Sequence, residues 1–125
     1  PDLIRKVRPR RLGWFPQGPA AELAADMAAR PRGAWPPRRV ALAALKAETA
    51  AVCMALPELV RAGDVGHAGD PMLTAHVKAA QRARRGDTWV FGRRCTGPVD
   101  GVYAMAGAVH LARTMPAPRP ELRIY

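Results

Sequence analysis

Cysteine is scarce in this sequence, and long apolar runs are missing. The two cysteines, Cys53 and Cys95, form no Cys-x-x-Cys pair and no cysteine and histidine cluster with zinc spacing. We therefore expect no structural zinc site and a reducing compartment. No apolar stretch reaches the roughly 18 residues of a membrane span, and no signal-peptide pattern is visible. These absences predict a cytoplasmic protein with no membrane contact.

Acidic residues are also few, and the balance of charge is strongly positive. Twenty Lys and Arg residues face 10 Asp and Glu residues, giving a formal net charge of +10 and a pI near 11.2. Such an excess of positive charge favours a polyanionic partner such as nucleic acid, without conferring sequence specificity. The alternative is arginine enrichment from a GC-rich genome, which the high alanine content also fits.

The chain of 125 residues has room for one small domain. Because it begins with Pro1 instead of methionine, we interpret it as a fragment of a longer polypeptide. Residues 1–11 carry five basic side chains and two prolines, which predicts a basic arm or linker. Residues 12–115 are expected to form the folded part, and residues 116–125, with three prolines, a loose tail.

Between these ends, short strands alternate with helices. A helix is predicted from about Pro19 to Ala29, and a short apolar strand ends near Leu45. A single helix from Val40 to Arg61 is the alternative to that strand, because the segment is rich in alanine. The next predicted helix ends at Gly63 and contains Pro57, which should bend or split it.

The second half begins with a clear helix start, because Asp70 can cap the helix and Pro71 suits its first turn. We predict that this helix turns five residues inward and continues into the basic run QRARRG; the five are Met72, Leu73, His76, Val77 and Ala80. The segment TWVFGRR alternates as a strand does. A final helix follows, with small residues at 104, 107 and 108 that permit close approach to a sheet. This order of elements indicates an α/β fold.

Five successive blocks give the sequence a more specific likeness. They are LGWFPQGPAAELAADMA, AWPPRRV, ETAAVCMALPELVRAGDVGHAGDPMLTAHVKAA, GDTWVFGRR and VDGVYAMAGAVHLART. In this order they resemble the C-terminal stretch of phage terminase large subunits, over roughly residues 12–114.

The resemblance implies the C-terminal part of a nuclease domain with a partial ribonuclease H-like fold. It implies a DNA-packaging endonuclease that cuts double-stranded phage DNA with Mg²⁺ or Mn²⁺ in the host cell cytoplasm. The implied partners are the phage portal and the small terminase subunit, with the large subunit forming a homo-oligomer in the complete motor. The alternative is a non-catalytic, basic DNA-binding fragment or remnant of that domain.

Asp100 is the residue to which the resemblance assigns catalysis and metal binding. In the family, the last metal-binding carboxylate opens the final helix in a Val/Ile-Asp-Ala pattern, and Val99-Asp100-Gly101 stands in that place. A carboxylate in the first turn of a helix is favoured by the helix dipole, and two-metal cleavage needs such rigid anionic ligands. The alternative is an ordinary first-turn aspartate.

The sequence departs from the family pattern at the other acidic positions. The strand that carries the first aspartate would lie upstream of Pro1, and the second acidic position reads Gly13-Trp14-Phe15-Pro16. The chain therefore holds only part of the expected site.

Basic residues around Asp100 are the candidate DNA contacts. Four of them were expected to close the helix after Asp70, namely Lys78, Arg82, Arg84 and Arg85. Arg93 and Arg94 close the strand that follows and lie nearest Asp100 in sequence, so they are the strongest candidates to grip phosphates. The alternative is a solvated face.

The three histidines of the chain have different predicted roles. His67, in the His-x-Gly-Asp-Pro segment, is an auxiliary candidate that could contact a phosphate or a metal-bound water, with a structural role as the alternative. His76 and His110 are expected to pack in the core.

Overall fold

A computed structural model describes residues 2–31, 35–94 and 97–117. Helices and short strands are mixed along these ranges, which confirms the α/β class, but they do not alternate strictly as predicted. The elements are α1 (Asp2–Val7), β1 (Arg11–Trp14), α2 (Ala21–Ala29), β2 (Ala41–Ala44), α3 (Thr49–Ala62), α4 (Pro71–Ala79), β3 (Arg82–Arg85), β4 (Thr88–Phe91) and α5 (Asp100–Thr114).

The four strands pair as two separate two-stranded sheets. β1 and β2 are parallel, with Arg11 opposite Ala41 and Trp14 opposite Ala44. β3 and β4 form an antiparallel hairpin. Gly86 in its turn has a φ of 62°, a left-handed conformation that glycine adopts without a steric penalty.

The prediction of an unpacked arm over residues 1–11 is wrong. Residues 2–7 form α1, in which Ile4 is buried, and β1 begins at Arg11. Arg5 also pairs with Asp2 one turn away. The arm was predicted from charge and proline alone, which do not reveal that one apolar side chain anchors the helix. Of the predicted tail, residues 118–125 lie outside the described residues.

The core is formed where α3, β4 and α5 pack together. Its buried members are Val52, Cys53, Leu56, Val90, Phe91, Val99, Val102, Tyr103 and Ala106. Midway along α5, Gly107 brings the helix close to the residues that follow β1 and β2, because a Cβ there would lie 3.2 Å from side-chain atoms of Phe15 and of Leu45. The predicted stripe of small residues is therefore wrong in part, since Ala104 and Ala108 are exposed and only Gly107 is buried.

The structure confirms the predicted end of α3. The strand over residues 41–44 also excludes the alternative of one long helix from Val40. Gly63 ends α3 in the left-handed conformation, with its N–H donating to the carbonyl of Val60. The helix runs on through Pro57 without a break, so of the two expected effects of Pro57, a bend or a split, the split is excluded.

α4 begins as predicted but ends early and packs little. The carboxylate of Asp70 accepts a hydrogen bond from the Leu73 amide at 2.9 Å. Met72 and Val77 are 65% and 44% exposed, so they do not point into the core. The helix ends at Ala79, and the basic run that follows is a strand instead of a helix end.

None of the helices within the described ranges combines the length and apolar character that crossing a membrane requires.

Candidate nucleic-acid interface

An open cleft of about 390 Å³ lies between the β3–β4 hairpin and the first turns of α5. Four arginines line it, namely Arg82, Arg85, Arg93 and Arg94. None of its described lining residues is acidic, so the cleft concentrates positive charge. We call it the arginine cleft.

Arg93 is held by groups from two parts of the chain, α5 and the loop at Gly18. Its guanidinium carbon lies 4.5 Å from the centre of the Tyr103 ring, within the range of a cation–π interaction. Its Nη1 lies 3.4 Å from Oδ1 of Asp100. On another side it approaches Gly18, where an added Cβ would come within 3.0 Å of Nη2. The side chain is therefore oriented, although it remains 39% exposed.

Arg82 is oriented in a similar way within the hairpin. Its guanidinium carbon lies 4.7 Å from the ring of Trp89. Trp89 in turn packs edge to face against Phe91, with ring centres 5.6 Å apart. A guanidinium that is already stacked on a fixed aromatic ring has little conformational freedom. It therefore loses less conformational entropy when it binds a ligand.

Tyr103 supports the cleft from beneath. Its hydroxyl donates a hydrogen bond of 2.7 Å to the carbonyl of Phe91, which ties α5 to β4. Its ring packs edge to face against Phe15 and Phe91, at 5.3 Å and 5.5 Å. Burial raises the pKa of the Tyr103 hydroxyl above its ordinary value of 10.0, which keeps the hydroxyl protonated as a donor. Sequence reasoning did not identify Tyr103 as a functional residue.

Cys53 lies beneath the same ring system and is fully buried. Burial raises the pKa of its thiol above 9.0, an effect that outweighs hydrogen bonds with Phe91 and Tyr103 and the nearby charge of Arg93. This cysteine therefore behaves as a small core residue. Cys95 lies outside the described residues.

Asp100 stands at the rim of the arginine cleft as the first residue of α5, with a side chain 72% exposed. Divalent cations such as Mg²⁺ need several oxygen ligands at one point. No group of three His, Cys, Asp or Glu side chains within residues 2–31, 35–94 and 97–117 is placed to hold a metal ion. Asp100 instead faces a cation of the protein's own, the guanidinium of Arg93.

Three other residues that were predicted to contact DNA or metal do not line this cleft. Lys78 is exposed near the end of α4, and Arg84 is exposed on β3, but neither lines the cleft. His67 is exposed, and its Nδ1 accepts a hydrogen bond of 3.1 Å from the amide of Gly69. That contact stabilises a local turn, which fits the structural role that was the alternative to a functional role for His67.

His76 has a more specific place than the core packing predicted for it. Its Nδ1 accepts a hydrogen bond of 2.8 Å from the amide of Gly101, at the start of α5. This contact satisfies one of the free N–H groups of the first helical turn. A Cβ at Gly101 would lie 2.8 Å from the same nitrogen, so the contact depends on glycine.

No family model, curated protein or solved structure matches the chain. The function must therefore be argued from the geometry of the arginine cleft.

Proposed function

We propose that this chain binds the phosphate backbone of double-stranded DNA through the arginine cleft. The observation that carries the proposal is the convergence of Arg82, Arg85, Arg93 and Arg94 on one open cleft. Two of the four are held against aromatic rings. Guanidinium groups bind phosphate oxygens in a bidentate way, and a net charge of +10 strengthens the attraction at long range.

The aromatic residues of the cleft favour backbone contacts over base stacking. Tyr103 and Phe91 are each only 6% exposed, so their rings are closed to a nucleotide base. The ring of Trp89 is approached by the guanidinium of Arg82. Single-strand binding usually needs open aromatic faces on which bases stack. The cleft therefore supports contact with phosphates and binding that is independent of sequence.

We further propose that the cleft belongs to the nuclease part of a terminase large subunit with a ribonuclease H-like fold. Support comes from the order of the sequence blocks and from Asp100, whose exposed carboxylate stands at the rim of the cleft. The remaining acidic ligands for Mg²⁺ or Mn²⁺ would have to come from outside the described residues. The portal and the small terminase subunit would then be its partners in the host cytoplasm.

Binding can be tested by fluorescence anisotropy with a short labelled DNA duplex over a series of salt concentrations. We expect affinity to fall steeply with salt. Arg93→Ala and Arg82→Ala should each weaken binding and reduce the salt slope by about one. Arg84→Ala is the matched control, because Arg84 lies on the same strand as Arg82 but does not line the cleft. Equal losses for Arg82→Ala and Arg84→Ala, or no binding at low salt, would refute the proposal.

The nuclease proposal needs a longer chain. We expect a polypeptide extended upstream of Pro1 to nick plasmid DNA with Mn²⁺, and Asp100→Asn to abolish the nicking. Asp87→Asn serves as the control, since Asp87 is an exposed aspartate in the turn between β3 and β4. Full activity of the Asp100→Asn variant would remove Asp100 from the mechanism.

A further inference from the structure

The ion pair between Asp100 and Arg93 has a consequence for binding at the arginine cleft. Arg93 is the cleft arginine whose orientation is fixed by both a ring and a carboxylate. We infer that Asp100 is a built-in competitor of the DNA phosphate, which occupies the guanidinium of Arg93 until a phosphate displaces it. This inference rests on the proposed function of the cleft.

The geometry of the pair fits a contact that can be exchanged. The distance of 3.4 Å between Nη1 and Oδ1 is longer than the 2.7–2.9 Å of a strong charge-assisted hydrogen bond. The two side chains are 39% and 72% exposed, so water can replace either partner. Exposed pairs of this kind contribute little to stability. A phosphate that binds Arg93 in a bidentate way is therefore the stronger partner.

The ring of Tyr103 makes the exchange possible without loss of the binding position. The guanidinium of Arg93 rests on a buried ring, whose hydroxyl is bound to the Phe91 carbonyl. When Asp100 moves away, the ring still orients Arg93 toward the cleft. Only the carboxylate has to move, and it projects from the first residue of α5 into solvent.

Removing the Asp100 charge should therefore strengthen DNA binding. A carboxylate that occupies a binding arginine with the strength of an exposed ion pair lowers affinity by about two- to five-fold. This competition requires no divalent cation, which separates it from a role of Asp100 as a metal ligand. The measurement is therefore made in EDTA, with the same DNA duplex and anisotropy signal.

The control must account for the general effect of removing one negative charge near DNA. Asp87→Asn makes the same change of charge at the turn of the hairpin that forms one wall of the cleft. We expect Asp100→Asn to tighten binding about two- to five-fold more than Asp87→Asn. In an Arg93→Ala background the two substitutions should have equal effects, because the competed guanidinium is then absent. Asp100→Ser is measured in parallel, so that the result does not depend on the fold of one variant.

The outcomes separate the inference from the function on which it rests. Absence of duplex binding by the unchanged chain at low salt refutes the binding function itself. If the unchanged chain binds, but Asp100→Asn and Asp100→Ser tighten binding no more than Asp87→Asn does, the competition is refuted and the cleft function stands. An excess that persists in the Arg93→Ala background also overturns it.

Discussion

Replacing Gly101 with alanine should destabilise the protein, although the same change in a helix usually stabilises. A Gly→Ala change at a compatible position adds about 0.4–1 kcal/mol of stability. At Gly101 the new Cβ would lie 2.8 Å from Nδ1 of His76, closer than two such atoms normally approach. The imidazole must therefore turn away from the helix.

The cost of that movement exceeds the gain. The displaced imidazole loses its 2.8 Å hydrogen bond from the Gly101 amide, worth about 1 kcal/mol. Moving the His76 side chain out of its preferred rotamer costs about 0.5–1.5 kcal/mol more. Together these losses exceed the gain in helix propensity by about 1 kcal/mol. Gly101→Ala should therefore lower the free energy of unfolding by about 1 kcal/mol.

A double-mutant cycle tests this reasoning through a change of sign. In a His76→Ala background the added Cβ meets no imidazole, so Gly101→Ala should raise the free energy of unfolding by about 0.5 kcal/mol. Urea unfolding followed by far-ultraviolet circular dichroism gives both values, provided the slope with urea is unchanged. If Gly101→Ala stabilises the unchanged chain, or has the same effect in both backgrounds, the contact between His76 and Gly101 does not have the role argued here.

Two further predictions concern Tyr103 and its neighbour Cys53. Tyr103→Phe removes the hydrogen bond to the Phe91 carbonyl and should lower the free energy of unfolding by about 1 kcal/mol. DNA affinity should hardly change, because the ring under Arg93 remains; a loss as large as that of Arg93→Ala would contradict this separation. Burial raises the pKa of both Cys53 and Tyr103 in the folded state, so both groups ionise more readily in the unfolded chain. The free energy of unfolding should therefore keep its full value below pH 9 and fall as the pH rises from there, and it should fall by less in Tyr103→Phe. Urea unfolding at about pH 8 and about pH 10.5 measures the difference. An equal free energy of unfolding at both pH values would contradict the prediction.

The elements that the sequence predicted well are those with local signals. Gly63 ends α3, and Asp70 caps α4, because each residue acts on backbone groups only a few positions away. Such signals need no knowledge of the rest of the chain.

The failures concern elements that exist because of distant partners. β3 has the sequence RARR, which resembles the basic end of a helix, but it pairs with β4 in a hairpin. Its Arg82 also meets the ring of Trp89 across that hairpin. β1 was not predicted because its partner β2 lies about 30 residues further along the chain. Short strands of this kind are specified by tertiary pairing more than by their own residues.

The candidate site shows the same division. Proximity in sequence correctly placed Arg93 beside Asp100. Charge alone could not show which of the remaining basic residues share the cleft, since Arg82 and Arg85 line it while Arg84 and Lys78 do not. The exclusion of those two followed only from the hairpin and from the position of α4.

In the arginine cleft, buried groups stabilise the fold and exposed groups are available for binding. The effects of substitutions on binding and on stability can therefore be separated. The rings of Tyr103 and Phe91 are buried and contribute to the packing of α5 on β4. The guanidinium of Arg93 and the carboxylate of Asp100 are exposed, and their pairing contributes little stability. Substitutions of the charged pair should therefore change DNA affinity in folded protein, whereas substitutions of the rings act first on stability. A site whose charges were needed for packing would not allow that distinction.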